Sequence, residues 1–226
     1  MSVGCKIIRD FKRPDPALVA RFRDMPVANI DDCMNRIAAV DSAIEPIGCK
    51  GQLLGTAFTI RVPQGDNLMF HAAMDLAKPG DVIVIDAGGF TDRAIFGELM
   101  ATYCRERGIK GIICDGAIRD QGGLAAMENF QVYARAATPN GPYKNGPGEI
   151  NVPVVIGGKL VRPGDIIVGD DDGVIIIDPA IAAEIADATE AVEKKEVGIM
   201  EHILSECSYV RPWVDEKLNE IGCEFV

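Results

Sequence analysis

The run KPGDVIVID, residues 78–86, constrains the fold more than any other stretch of the chain. Pro-Gly-Asp makes a turn. The four residues that follow, Val82 to Ile85, are all branched and apolar, with no polar alternation. A strand that reads this way is covered on both faces, so a layer must lie on each side of the sheet. The pattern returns at RPGDIIVGD, residues 162–170. Two copies are too few for a repeat array, and the same turn used twice explains them.

The remaining pattern fits one α/β domain with a mixed sheet and helices around it. Helices are predicted over 15–24, over 29–40 with Asn29 or Asp31 as N-cap, and over 66–77. A strand is predicted at 52–62. A Gly-rich loop (87–97) is expected to lead into a helix at 98–107, then a strand at 111–114, a loop at 115–120 and a short helix near 123–127. The Pro-, Gly- and Asn-rich stretch from 132 to 153 reads as a long exposed loop. Short strands follow at 152–156, 159–161, 165–169 and 173–177, suggesting antiparallel hairpins or a barrel corner. The C-terminal part is helical from Pro179 to about Leu204, and again from Pro212 to Ile221 before Gly222. The stretch 188–198 is polar on most sides, as helices that bridge subunits often are.

Composition narrows the function classes. The 226 residues carry 23 Lys and Arg against 34 Asp and Glu, a net charge of −11. Such a surface disfavours phosphate backbones and anionic membranes, so neither nucleic acid nor membrane is an expected partner. No apolar run approaches the roughly 20 residues that span a bilayer, and the N-terminal stretch is no secretory signal. The seven cysteines, Cys5, Cys33, Cys49, Cys104, Cys114, Cys207 and Cys223, are odd in number, widely spaced and without C-x-x-C. They read as idle or buried thiols of a reducing cytosol, and a cytoplasmic protein is the expectation.

The chemistry concentrates between 88 and 120. A Gly-rich segment feeds a helix whose first turn holds Glu98, Leu99 and Met100. First-turn amides have no intrahelical partners, and with the helix dipole they suit an anion. A plain helix start with Glu98 favoured by the dipole explains the same residues. Arg119-Asp120 follows a buried strand. Arg offers a planar fork for a carboxylate, and Asp a hard oxygen for Mg²⁺. A surface ion pair is the simpler reading of that dipeptide alone. If the two loops lie at neighbouring strand ends they face each other, where ligands of open α/β sheets bind. His71, on the apolar helix MFHAAM, reads as structural; Asp66-Asn67 as a cap; His202 as a surface residue; Asp170–Asp172 as a turn; Trp213 as packing. Lys78 and Lys144 lie on turns and Lys110 precedes a strand, so no lysine suggests Schiff-base chemistry.

The spacing Glu98-x20-Arg119-Asp120 resembles the signature of the class II pyruvate aldolases, and the resemblance extends over 65–86, 97–120, 150–178 and the closing CEFV. That family holds the 4-hydroxy-4-methyl-2-oxoglutarate and 4-carboxy-4-hydroxy-2-oxoadipate aldolases and, as a sister branch, the regulator of ribonuclease E activity A. The resemblance implies an RraA-like swivelling β/β/α fold with a mixed sheet or barrel core surrounded by helices. It implies Mg²⁺ or Mn²⁺ held by Asp120, Arg119 on the pyruvyl carboxylate or keto oxygen, and Gly97 with the amides of Leu99 and Met100 on the substrate carboxylate. Glu98 then matches the acidic residue that contacts water on the metal. A glutamate of a neighbouring subunit's C-terminal helix reaches the metal, Glu196 being the better match and Glu193 the second. The expected assembly is a homotrimer or homohexamer, with residues 179–222 packing on a neighbour. The expected activity is retro-aldol cleavage of 4-hydroxy-2-oxo-dicarboxylates and decarboxylation of oxaloacetate; the rival expectation is a non-enzymatic regulator of ribonuclease E.

Overall fold

Eleven strands and seven helices follow one another along the chain in a computed structural model that describes residues 3–48 and 51–224. In order they are β1 (Cys5–Ile7), α1 (Pro16–Ala20), α2 (Val27–Cys33), β2 (Glu45–Pro46), β3 (Leu53–Arg61), α3 (Leu68–Leu76), β4 (Asp81–Ala94), α4 (Glu98–Glu106), β5 (Gly111–Ile118), α5 (Gln121–Ala125), β6 (Gln131–Ala137), β7 (Gly148–Ile150), β8 (Val154–Ile156), β9 (Lys159–Val161), β10 (Ile166–Asp170), β11 (Gly173–Ile177), α6 (Ala182–Glu206) and α7 (Pro212–Glu220). Cys49, Phe225 and Val226 lie outside the described residues.

The centre is the parallel array β3-β4-β5-β6. β10 and β7 both pair antiparallel with the free edge of β3, and β11 continues from β10. The expectation for β4 holds: Ile83 and Ile85 enter one apolar core with α3 and α4, while Val82 and Val84 enter a second on the opposite face. The second core is covered by the β8–β9 hairpin and by the sheet itself. β6 and β10 are separated by three strands along the sheet, yet the Tyr133 hydroxyl donates to the Asp170 carbonyl at 2.9 Å. The sheet therefore curls around this core, as a barrel wall does. A third core lies between α2, α6 and the outer faces of β10 and β11.

Both Pro-Gly-Asp turns are built alike. Asp81 Oδ2 accepts from the Lys78 amide (2.8 Å), and Asp165 Oδ2 from the Arg162 amide (2.7 Å). Among the described residues only Asp81 is bonded by a cation: Arg13 grips it with two bonds of 2.8 and 2.6 Å.

Several expected boundaries are corrected. The segment 87–94 is not a loop but a continuation of β4. It pairs with β5 through two irregularities, Asp86, Phe90 and Ala94 facing the consecutive residues Asp115, Gly116 and Ala117. Gly88 and Gly89, both left-handed at φ +65° and +69°, permit the first of these. β5 likewise runs on to Ile118. The expected long loop contains β6, a central strand, and β7. α2 starts at Val27 after Pro26, so neither Asn29 nor Asp31 caps its start. It stops at Cys33 because Asn35 and Arg36 turn left-handed, and the Asp31 carboxylate instead accepts from the Ala38 amide at 3.0 Å. Trp213 is not packed within the chain, being 63% exposed.

Candidate active site

The bulged end of β4 and the end of β5 lie side by side. Ile95 donates to Ala117, and Arg119 to the Phe96 carbonyl at 2.9 Å. These bonds bring the start of α4 against Arg119-Asp120, as the sequence predicts for two loops at neighbouring strand ends. Asp120 takes a left-handed conformation (φ +58°), which Asp tolerates better than most residues. That conformation turns its carboxylate back over α4, where Oδ2 accepts from the Glu98 amide at 3.2 Å. Arg119 Nε stands 3.7 Å from the same oxygen. Gly97 makes the approach possible: a Cβ there would collide with Asp120 Oδ2 and lie 2.8 Å from Arg119 Cγ.

A cleft of about 360 Å³ opens beside this junction. Gly97, Leu99 and Met100 form one wall and Arg119 and Asp120 another. Among the described residues the amides of Leu99 and Met100 have no acceptor, so two N–H groups remain for an anion at the α4 N-terminus. Glu98 is solvent-exposed, and its carboxylate lies over Gly123 of α5. A second, shallower cleft of about 330 Å³, lined by Ala137, Thr138 and Pro139, borders Arg119 and Asp120 from the other side.

Three lining residues fall outside the sequence-based site. Asn67 is buried and sits at the α3 N-terminus, but its side chain does not cap the helix. It donates to the Ile95 carbonyl at 2.9 Å, and its Oδ1 has no partner among the described residues. His71, one turn on, also lines the cleft, and its buried Nε2 has no partner among the described residues. The structural role expected for His71 therefore leaves a nitrogen unsatisfied. Lys144 reaches the cleft from the 139–147 segment. It is exposed, unlike the desolvated lysines that form Schiff bases.

The other candidates are elsewhere. Glu196 lies on α6, where Asn29 of α2 donates to it at 2.7 Å; neither it nor Glu193 lines the cleft. His202 pairs with Glu206 at 3.6 Å on α6, and Asp170 Oδ1 closes its turn by accepting from Asp172. Cys104 and Cys114 are buried, and burial pushes the Cys104 thiol up to about 12, so neither is a ready nucleophile. No described helix is long and apolar enough to cross a membrane.

Known proteins resemble this chain in sequence and in fold. A protein of Halalkalibacterium halodurans named "Putative 4-hydroxy-4-methyl-2-oxoglutarate aldolase" is 43% identical over 159 residues, 70% of this chain and 75% of the relative. Among solved structures, an uncharacterized protein from Pseudomonas syringae matches with a TM-score of 0.78 at 25% identity, covering 88% of this chain and 98% of its own. The RNA-processing inhibitor RraA from Thermus thermophilis matches with a TM-score of 0.62 at 28% identity, covering 67% and 92%. The family model described as RraA-like, Aldolase/RraA, matches residues 27–176, the span that contains the parallel array and the whole cleft; the chain belongs to that family.

Proposed function

We propose that the chain is a divalent-metal-dependent lyase. It cleaves 4-hydroxy-2-oxo di- or tricarboxylates, such as 4-hydroxy-4-methyl-2-oxoglutarate or 4-carboxy-4-hydroxy-2-oxoadipate, to pyruvate and a second oxo acid, and it decarboxylates oxaloacetate. The observation that carries this reading is the junction at Gly97, where free helix amides, a guanidinium and a carboxylate meet in one cleft. The identity to a relative named as an aldolase supports a lyase at the level of the family.

The donor set suits Mg²⁺ or Mn²⁺. Among the described residues no three His, Cys, Asp or Glu side chains converge on one point, so an all-protein cage of the zinc type has no basis here. Among the described residues nothing bonds Asp120 Oδ1, and one such carboxylate with substrate oxygens and water is how Mg²⁺ is commonly held. When bound, the ion supplies Lewis-acid stabilisation of negative charge on the keto oxygen.

The chain's own residues do the rest. The Leu99 and Met100 amides bind the C1 carboxylate. Arg119 stands beside the C2 oxygen, where the electron pair of the breaking C3–C4 bond arrives as enolate charge. A water oriented by Glu98 takes the C4 hydroxyl proton as C4 becomes a carbonyl, and a proton is returned to C3 to give the methyl group of pyruvate.

The competing reading is a regulator that binds ribonuclease E without catalysis, and the fold likeness to an RNA-processing inhibitor supports it. Asp120 weighs against it, since a binding surface gains nothing from a carboxylate turned into a cleft. A pyruvate-coupled assay separates the two. Oxaloacetate and 4-hydroxy-4-methyl-2-oxoglutarate should yield pyruvate with Mg²⁺ and not with excess chelator. An equal rate with chelator removes the metal; no pyruvate from any 2-oxo diacid sinks the lyase.

A further inference from the structure

The wall of the cleft formed by the 139–147 segment has no regular structure of its own, yet it is fixed at several points. Tyr143 donates to the Gly65 carbonyl at 2.8 Å and accepts from the Asn67 amide at 3.0 Å. Arg93 stacks on the Tyr143 ring, 4.2 Å from its centroid, and donates to the Gly141 carbonyl at 2.9 Å. The strongest tie is Asp66, which is 3% exposed. Its Oδ1 accepts from the Leu68 amide at 2.9 Å, opening α3. Its Oδ2 accepts from Asn145 at 2.6 Å and from Gly146 at 3.0 Å.

Capping α3 requires only one oxygen, and a neutral Asn or Ser would do it. A buried carboxylate whose only described partners are three amides is a costly way to start a helix. The second oxygen is committed to the segment that carries Lys144. Lys144 itself forms no ion pair among the described residues and lines the same cleft as Arg119. A chain of net charge −11 repels a dianion at long range, so a diacid needs a local cation for each end.

We propose that Lys144 binds the second carboxylate of the substrate, and that Asp66 is a positioning residue that acts through residues 143–146 to hold Lys144 in the cleft. The inference rests on the lyase reading above. It makes the segment a specificity element: the α4 amides and Arg119 select the 2-oxo acid, and Lys144 selects the diacid.

Lys144→Gln and Asp66→Asn test it with three readouts: KM for 4-hydroxy-4-methyl-2-oxoglutarate, KM for the monoacid 4-hydroxy-2-oxopentanoate, and inhibition by pyruvate. Asn at 66 can still cap Leu68, but its NH₂ would face the amides of Asn145 and Gly146. Each variant should raise the diacid KM about tenfold or more, as expected for a lost charge-assisted contact. Each should leave the monoacid KM and the pyruvate inhibition constant within about twofold, as removal of a remote contact does. The double variant should be no worse than the poorer single one, because both act through one contact. An unchanged diacid KM in Lys144→Gln overturns the proposal even if Asp66→Asn fails to fold. So does a parallel loss of diacid, monoacid and pyruvate binding, which would mark a general structural role. If wild-type protein releases pyruvate from no diacid, the lyase reading fails as well; an active wild type with an unaltered Lys144→Gln fails only the present inference.

Discussion

At the scale of single residues, the site turns on how closely Asp120 and Arg119 approach the start of α4. Asp120→Asn keeps the size of the side chain and one acceptor for the Glu98 amide, so the fold should be unchanged while turnover falls to background. Near-native activity in that variant would take the metal out of the mechanism. Arg119→Ala should reduce kcat by about 10²–10³, the range for removing one preorganised donor at a developing oxyanion. Gly97→Ala should act on both neighbours at once, since the new methyl occupies the space of Asp120 Oδ2 and crowds Arg119 Cγ. Circular dichroism should show a folded Gly97→Ala protein with activity as low as Asp120→Asn. An active Gly97→Ala enzyme would show that the close approach is dispensable. These residues were legible in the sequence because each is local to a strand end or helix start, where the chemistry of backbone amides can be read from position. Asn67 and His71 were not. A buried polar side chain on an apolar helix looks the same in sequence whether its partner is protein or ligand, and only the structure shows that Asn67 Oδ1 and His71 Nε2 have none among the described residues.

At the scale of elements, unbroken branched runs and Pro-Gly-Asp turns were readable, and what failed was the less apolar part of the sheet. β6 has the sequence QVYARAA, in which alanines carry little strand preference and Arg135 looks solvated. Inside the fold Arg135 is bound by Asp115 of β5 and, at 3.3 Å, by Asp41. The ladder to β5 that makes this segment a strand is long-range, and so is the ion network that accompanies it; neither leaves a local trace. The irregular end of β4 escaped for a related reason, because glycines that allow a bulge are the same residues that announce a loop. The two Pro-Gly-Asp turns give a matched experiment. Asp81→Asn leaves the Arg13 guanidinium without its carboxylate and should destabilise by up to the about 3–5 kcal/mol seen when a buried pair is broken, less to the extent that Arg13 reaches solvent. Asp165 differs, since no side-chain cation bonds it among the described residues and burial holds its carboxyl above the usual carboxylate range. The folded state therefore keeps that proton more tightly than the unfolded state. The stability the group contributes is present at low pH and is lost as pH rises through the carboxylate range. Asp165→Asn keeps the bond from the Arg162 amide and removes that loss. Its melting temperature relative to wild type should rise between pH 4 and pH 7 in calorimetry; a difference that is flat or falls with pH would contradict the raised carboxyl.

At the scale of the molecule, the chain leaves a large apolar surface uncovered. α6 begins packed against the third core, with Ala182, Ala186 and Thr189 buried, and beyond Thr189 none of its residues is fully buried. Val197, Met200 and Leu204 follow at helical spacing on its exposed length, Leu204 being 78% exposed, and Tyr209, Val210 and Trp213 continue the same character into α7. Exposed apolar surface of this kind marks an interaction site, and the homo-oligomer we propose would cover it with a second copy of the chain. Among the described residues one chain lines the cleft with a single carboxylate, Asp120, with Glu193 and Glu196 both on α6 and outside the lining. If a neighbour's α6 supplies the missing acid, assembly and catalysis share one surface. Met200→Glu with Leu204→Glu places two charges on that stripe without touching the cleft of its own chain. Light scattering of the wild type should give three or six times 24.2 kDa, and the double variant should fall to a smaller mass with a parallel loss of pyruvate release. Glu196→Gln should keep the wild-type mass and lose activity alone. A wild-type monomer that turns over diacid at full rate would detach the arm from the reaction and leave its apolar face to another partner.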